Sequence, residues 1–408
     1  MKNYTKLYTN KLWNDLLAER FFEDTNLFYD FPTFGEDDKY KTYFPTPEQI
    51  KLSIPNPCGW GAGMEDGCID GGTMLDAAII CYEQEGEPVM SDVAKRIFEG
   101  LKLCATVSSE EGFLARSVSP LDLKSHYIDS SRDQYTHWIY GVSRYYESEM
   151  ISDEDKAFVQ KAFCSFAKRA AENVTEANGW DYLREDGGHA AVNTMWGDKI
   201  EAHEQMRLPM IYLAAWKIGG DERYRDTYLS IRDKAFELSE KIDLESHAKL
   251  FTLNQMQQSW RFVYDYDGDA DFKEKCYGLM ARIADYCMKK SLELANALDT
   301  PFRKEQTTYT EKPWYKVRAR YQGMIDGYAY YVPLDWRRQS IGDIRSRIKI
   351  IGDGAAAYTT FPDAKFNDEL DKVLKRIICS EDEHISVLNE KKYAVSACHM
   401  LDRLKNAK

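Results

Sequence analysis

The sequence predicts an all-α fold: an (α/α)6 toroid, in a single domain with a loop-rich N-terminal arm. Three observations point there. Apolar residues from Asp70 onward recur at offsets of three and four, the period of helices with one buried stripe. These helical segments are joined alternately by short turns and long loops. No stretch alternates as a strand over any length. Helix pairs with short turns at one end and long loops at the other are antiparallel hairpins set around an axis, and five or six of them close a double ring around a funnel.

Taken in order, residues 1–65 form the arm, where Pro32, Pro45, Pro47, Pro55 and Pro57 punctuate aromatics such as Phe31, Tyr43 and Phe44. Residues 66–408 form the toroid. The first hairpin is expected near 70–84 and 90–107, with Met74, Leu75, Ala78, Ile79 and Tyr82 on one face and a Glu-Gly-Glu-Pro turn between the helices. The second spans 132–148 and 153–176. Ser131 and Gln134 have capping-box spacing at its start, and Tyr135, Trp138, Ile139, Val142, Tyr145 and Tyr146 form its stripe. The third covers 205–218 and 221–242, joined by Gly219-Gly220-Asp221, and the fourth covers 253–265 and 270–292. Weaker helical patterns follow at 318–331, 338–358, 366–379 and 390–405. The loops 108–131, 177–204, 243–252 and 293–317 then gather on one face, where functional groups usually sit.

Composition narrows the function. The 54 Lys and Arg against 67 Asp and Glu give a formal charge of −13, which repels a polyphosphate, so nucleic acid is not an expected partner. An acidic substrate must be held by a few local bases. The 13% of aromatic residues, including 9 Trp and 27 Tyr, supply flat surfaces that fill cores and stack on sugars. Nine cysteines without a C-x-x-C pair argue against a disulfide framework or a structural zinc site. The first residues lack a signal-peptide run and no segment is long and apolar enough to span a bilayer, so the expectation is a soluble chain. It would be cytoplasmic, or periplasmic if a leader has been removed.

The densest chemistry lies in Ile128-Asp129-Ser130-Ser131-Arg132-Asp133-Gln134-Tyr135-Thr136-His137-Trp138, which crowds charge and aromatics into a helix start. Asp133 stands in the first turn of that helix. Asp70 stands at the expected N-cap of the first hairpin, followed by Gly71 and Gly72, which read chiefly as sites of close helix approach. The two acids are 63 residues apart, one hairpin and one loop, so both would start adjacent inner helices on the same face. Paired carboxylates suit glycosidic chemistry, one giving a proton and the other activating water or raising its partner's pKa. A helix N-terminus lowers an acid's pKa, so Asp133 as donor would need a carboxylate such as Asp70 or Asp129 nearby.

Other candidates surround these acids. Arg116 lies in the 108–131 loop. Asp129, Gln134, His137 and Trp138 share the Asp133 segment, and the 177–207 stretch supplies His189, Trp196, His203, Glu204 and Arg207. Arg207 offers a fork for a uronate carboxylate, with His203 and Glu204 for hydroxyls. Trp138, Trp196 and Trp260 are candidate stacking platforms. His189 and His203 lack the spacing of a helical zinc pair, and no metal or other cofactor is expected.

The layout Asp70-Gly71-Gly72-Thr73-Met74-Leu75, then Gly112-Phe113-Leu114-Ala115-Arg116, then Asp133-Gln134-Tyr135-Thr136 resembles that of the unsaturated glucuronyl and rhamnogalacturonyl hydrolases and related glucuronidases. Those are six-hairpin toroids in which two Asp serve catalysis, and the resemblance implies Asp70 and Asp133 as the matches. It departs where an Asn-rich run after the second acid is replaced by Gln134-Tyr135-Thr136-His137. The expectation is a glycoside hydrolase that removes a terminal uronic acid, saturated or unsaturated, from an acidic oligosaccharide. The alternatives are a sugar epimerase or polysaccharide lyase, which would want a Tyr or His base, or a non-catalytic carbohydrate-binding toroid.

Overall fold

A computed structural model describes residues 21–29, 44–86, 88–247, 249–297, 319–333, 344–365, 368–370 and 372–373. The elements are β1 (Phe21–Phe22), β2 (Leu27–Phe28), α1 (Pro47–Lys51), α2 (Gly67–Glu85), α3 (Pro88–Thr106), α4 (Arg132–Glu147) and α5 (Asp153–Asn173). They continue with α6 (Arg207–Lys217), α7 (Arg223–Glu240), α8 (Leu250–Tyr266), α9 (Ala270–Ala297), β3 (Ala319–Ile325), β4 (Tyr328–Pro333) and α10 (Ile344–Thr360).

Burial separates two helical layers. In α3 the buried residues Met90, Val93, Ala94, Ile97, Phe98, Leu101 and Cys104 form a single stripe, so one face meets the core and the other meets water. In α4 nearly every residue from Gln134 to Ser143 is buried, polar ones included, so that helix is covered on all sides. Accordingly α2, α4, α6, α8 and α10 form an inner layer. In it α2 packs on α4, α4 on α6 and α8, and α8 on α10. The outer helices are α3, against α2; α5, against α4 and α6; α7, against α6; and α9, against α8 and α10. This is the all-α, (α/α) toroid arrangement expected, with the four hairpins within a few residues of their expected bounds. The pattern at 390–405, most of that at 366–379, and with them a sixth hairpin, lie outside the described residues.

Tight helix contact accounts for the glycines at the start of α2. A Cβ on Gly72 would lie 2.1 Å from the His137 carbonyl oxygen of α4, and one on Gly141 would lie 2.3 Å from the Gly72 carbonyl. The first turn between helices works as its residues suggest: Gly86 takes a left-handed φ of 66° and Pro88 is the first residue of α3. The described part of the arm lies on this hairpin, with Leu27, Phe28 and Tyr29 buried and the Tyr29 hydroxyl donating to Val118 O at 2.6 Å.

The weak helical pattern at 318–331 is overturned. That stretch is a β-hairpin, with Arg320 opposite Val332 and Ile325 opposite Tyr328. Its turn is Asp326-Gly327, both at positive φ (46° and 84°), the backbone a two-residue hairpin requires and an Asp-Gly pair favours. The hairpin lies over the loops that precede α4 and α6. Tyr330 OH donates to Asp129 Oδ2 at 2.9 Å, His189 N donates to Asp326 Oδ2 at 2.6 Å, and Arg184 sits 4.8 Å from the Tyr328 ring centre.

Candidate active site

Four inner helices start at the same end of the molecule, and their first residues join through polar side chains. The Gln134 amide of α4 donates to Glu65 O at 2.9 Å and to Asp66 Oδ1 at 3.3 Å, just ahead of α2. Arg207 of α6 ion-pairs with Asp133 of α4 through Nη1, and its Nη2 donates to Gln255 Oε1 of α8 at 2.8 Å. Arg132 reaches Glu204 through Nε at 2.7 Å and Thr194 O through Nη1 at 3.0 Å. A belt of charge thus runs around the mouth of the inner layer, where the helix dipoles add positive potential.

Two carboxylates of this belt remain partly open to solvent. Asp133 is 31% exposed and Asp66, the N-cap residue of α2, is 36% exposed. Asp70, expected at that N-cap, is the fourth residue of the helix instead. It lies one turn deeper on the same face and is 2% exposed, so the acid that meets solvent on α2 is Asp66. Gly71 and Gly72 sit within the helix where it touches its neighbours, the close approach expected of them.

Burial by itself would raise the Asp133 carboxyl. The Arg207 guanidinium, backed by Arg132, overrides it and holds the group well below the usual carboxylate range. Asp133 is therefore held as the anion, which favours the base or charge-stabilising part of its expected acid/base role. Asp129 goes the opposite way: burial keeps its carboxyl above the ordinary value although Ala191 N, Tyr330 OH and the Cys58 thiol donate to Oδ2. It is sealed beneath the β-hairpin and cannot contact substrate there.

The other expected site residues divide. Arg116 is a structural clamp, donating to Glu65 O at 2.8 Å and Ser130 O at 3.3 Å and pairing with Asp66 at 3.4 Å. His137 is buried at the α2–α4 contact, with Nδ1 3.1 Å from Thr73 Oγ1. Gln134 is a linker between helix starts and does not form the expected capping box. Ser131 is the N-cap residue, but its hydroxyl makes no hydrogen bond. Trp138 and Trp260 have no exposed surface. Trp138 packs on Phe163 and Phe166, and Trp260 on Phe236 and Phe272, so neither has a face left for a sugar. Trp196 is half-buried against the core, and His189 is partly exposed with Nδ1 2.8 Å from Asp181.

His203, Glu204 and Arg207 do come together with Asp133. Burial pushes the His203 imidazole down to about 2, with the Arg207 charge and His247 adding to the fall, so the ring is neutral. Sequence reasoning missed Asp66, Arg132, Glu201 and His247. Asp66 had a signal, an acid directly before the Gly67-Cys68-Ile69 start of an apolar helix. His247 had none, because its neighbours in space come from a loop some 40 residues earlier.

Six of the seven described cysteines are buried, as expected of small apolar core residues. Among the described residues no helix is long and apolar enough to cross a membrane.

No protein-family model matches the sequence, and no curated protein does. Among solved structures, the chain is similar in backbone course to a sugar epimerase from a ruminal bacterium, at 12% identity and a TM-score of 0.45 over 82% of this chain and 87% of the other. It is also similar to a family 76 glycoside hydrolase (mannosidase) of Bacteroides thetaiotaomicron, at 10% identity and a TM-score of 0.31 over 93% of this chain and the whole of the other.

Proposed function

We propose that the chain is a carbohydrate-active enzyme, a glycoside hydrolase that removes a terminal uronic acid from an acidic oligosaccharide, with Asp66 and Asp133 as its carboxylate pair. The supporting observation is the placement of these two acids. Each is about one third exposed at the start of one of two packed inner helices, and Gln134, the residue after Asp133, donates to Asp66. Asp133, kept ionised by Arg207, activates water or stabilises positive charge at the anomeric carbon. Asp66 takes the partner's place expected of Asp70 as the second carboxylate of the pair. Arg132, partly exposed beside Asp133, is the base nearest to an incoming uronate. Incubation with saturated and unsaturated uronide oligosaccharides, following reducing ends and the ultraviolet band of the double bond, tests this. Absence of uronic acid release from both substrate types would refute it.

A further inference from the structure

Glu201, His203 and His247 converge from two loops beside the charged belt. Glu201 and His203 precede α6 and His247 precedes α8, and one ligand-capable atom of each lies within 4.8 Å of the other two. Three details distinguish this group from a chance meeting of polar side chains. His203 is 6% exposed, yet its Nδ1 makes no hydrogen bond. Glu201 Oε2 stands 3.2 Å from that nitrogen without the direction a hydrogen bond needs. That separation is close to the roughly 3.3 Å edge of a tetrahedron of ligands about 2.0–2.1 Å from a central ion.

The third detail fixes a tautomer. His247 Nε2 meets Thr252 Oγ1 at 2.6 Å, and Thr252 gives its own proton to Lys249 O at 2.7 Å. The hydroxyl must then accept from Nε2–H, which leaves Nδ1 of His247 bare. A second partner that orients an imidazole in this way is the usual support of a metal-ligating histidine. The two rings meet edge to face, 5.3 Å between centres at 67°, as rings aimed at a common point do.

We propose that Glu201, His203 and His247 bind one divalent transition-metal ion of the zinc type, with Thr252 orienting His247 and a fourth position open to water. Two imidazoles and a carboxylate without thiolate are a donor set such ions accept with an open position. The local charge permits it, since Glu201, Glu204 and Asp133 outnumber Arg132 and Arg207. The ion would tie the loop ahead of α6 to the loop ahead of α8 and so stiffen the mouth of the belt. Neither Asp66 nor Asp133 is a ligand, so the site stands whether or not those acids hydrolyse a uronide.

The test uses the full chain stripped with a chelator and titrated with Zn2+ and, separately, Co2+. The expected result is one ion per chain, a visible Co2+ spectrum of tetrahedral intensity, and a rise in Tm with Zn2+. His247→Ala and Glu201→Gln should each weaken binding at least about tenfold, and Thr252→Val, which keeps all three ligands and removes only the group that orients His247, about tenfold. Because His203→Ala could unfold a buried site, the decisive variants are at Glu201 and His247. Failure to bind either ion tighter than about 1 mM, or equal affinity in the Glu201→Gln/His247→Ala double variant, would overturn the proposal.

Discussion

Arg207 is almost fully buried and shares its guanidinium between Asp133 and Gln255, so its charge is balanced by one carboxylate on a neighbouring helix. Removing one member of such a pair leaves the other charge without compensation, which typically costs about 3–5 kcal/mol. Arg207→Met should therefore lower stability by roughly that amount in chemical denaturation. The sign of the pH effect follows from the depressed Asp133 carboxyl. Its contribution is fully present above the unfolded value of about 3.9 and is lost as pH falls through the lower native value. In Arg207→Met the carboxyl loses its largest depressing charge, so this acid-side loss should shrink or vanish. A plot of Tm against pH between 2 and 6 that is parallel for wild type and variant would contradict this.

The loops 108–131 and 177–204 are joined by His126 and Glu185, whose Nε2 and Oε1 are 3.1 Å apart. Burial lowers the imidazole, but the bond to Glu185 outweighs it and leaves His126 above its ordinary value. The resulting stability is complete below about pH 6.5 and is lost as pH rises through the raised native value. His126→Phe should flatten the dependence of Tm on pH in that window and, by freeing Glu185, also weaken the acid-side dependence. The β-hairpin is anchored in a similar way. Tyr330→Phe removes one of three donors to a buried carboxylate and should cost about 1–3 kcal/mol, seen as faster amide exchange across β3 and β4 than elsewhere. The helical pairs were legible because repeated apolar spacing survives as a one-dimensional signal. The β-hairpin was not, because Tyr328, Tyr330 and Tyr331 straddle both periods; its one clear mark was Asp326-Gly327, a turn signal flanked by aromatics. Asp66 and Asp70 lie one helical turn apart and both are acids that suit an N-cap, so residue type alone does not say which one begins α2.

On the scale of the whole molecule, the ring arrangement brings together side chains that sequence distance conceals. Asp66, Asp133, Arg207 and Gln255 come from four inner helices and meet only because those helices start at one end. No local pattern records such a meeting, which is why the helices could be read and the His203–His247 contact could not. The chain's formal charge of −13 also acts at this scale. It opposes the approach of an acidic oligosaccharide until salt screens it beyond a Debye length of about 8–10 Å. For a uronide substrate, kcat/KM should rise between roughly 20 and 200 mM salt. For a neutral glycoside it should stay flat, and a falling value for the uronide would mean that local bases dominate its capture.

The central claim is that Asp66 and Asp133 act together on a terminal uronide. Its most direct measurement is kcat/KM for uronic acid release by wild type, Asp66→Asn and Asp133→Asn, with Tm recorded for each protein. The expected result is a loss of about 10²–10⁴-fold in both variants, with folded protein retained. Release at close to the wild-type rate by either variant, while folded, would contradict it.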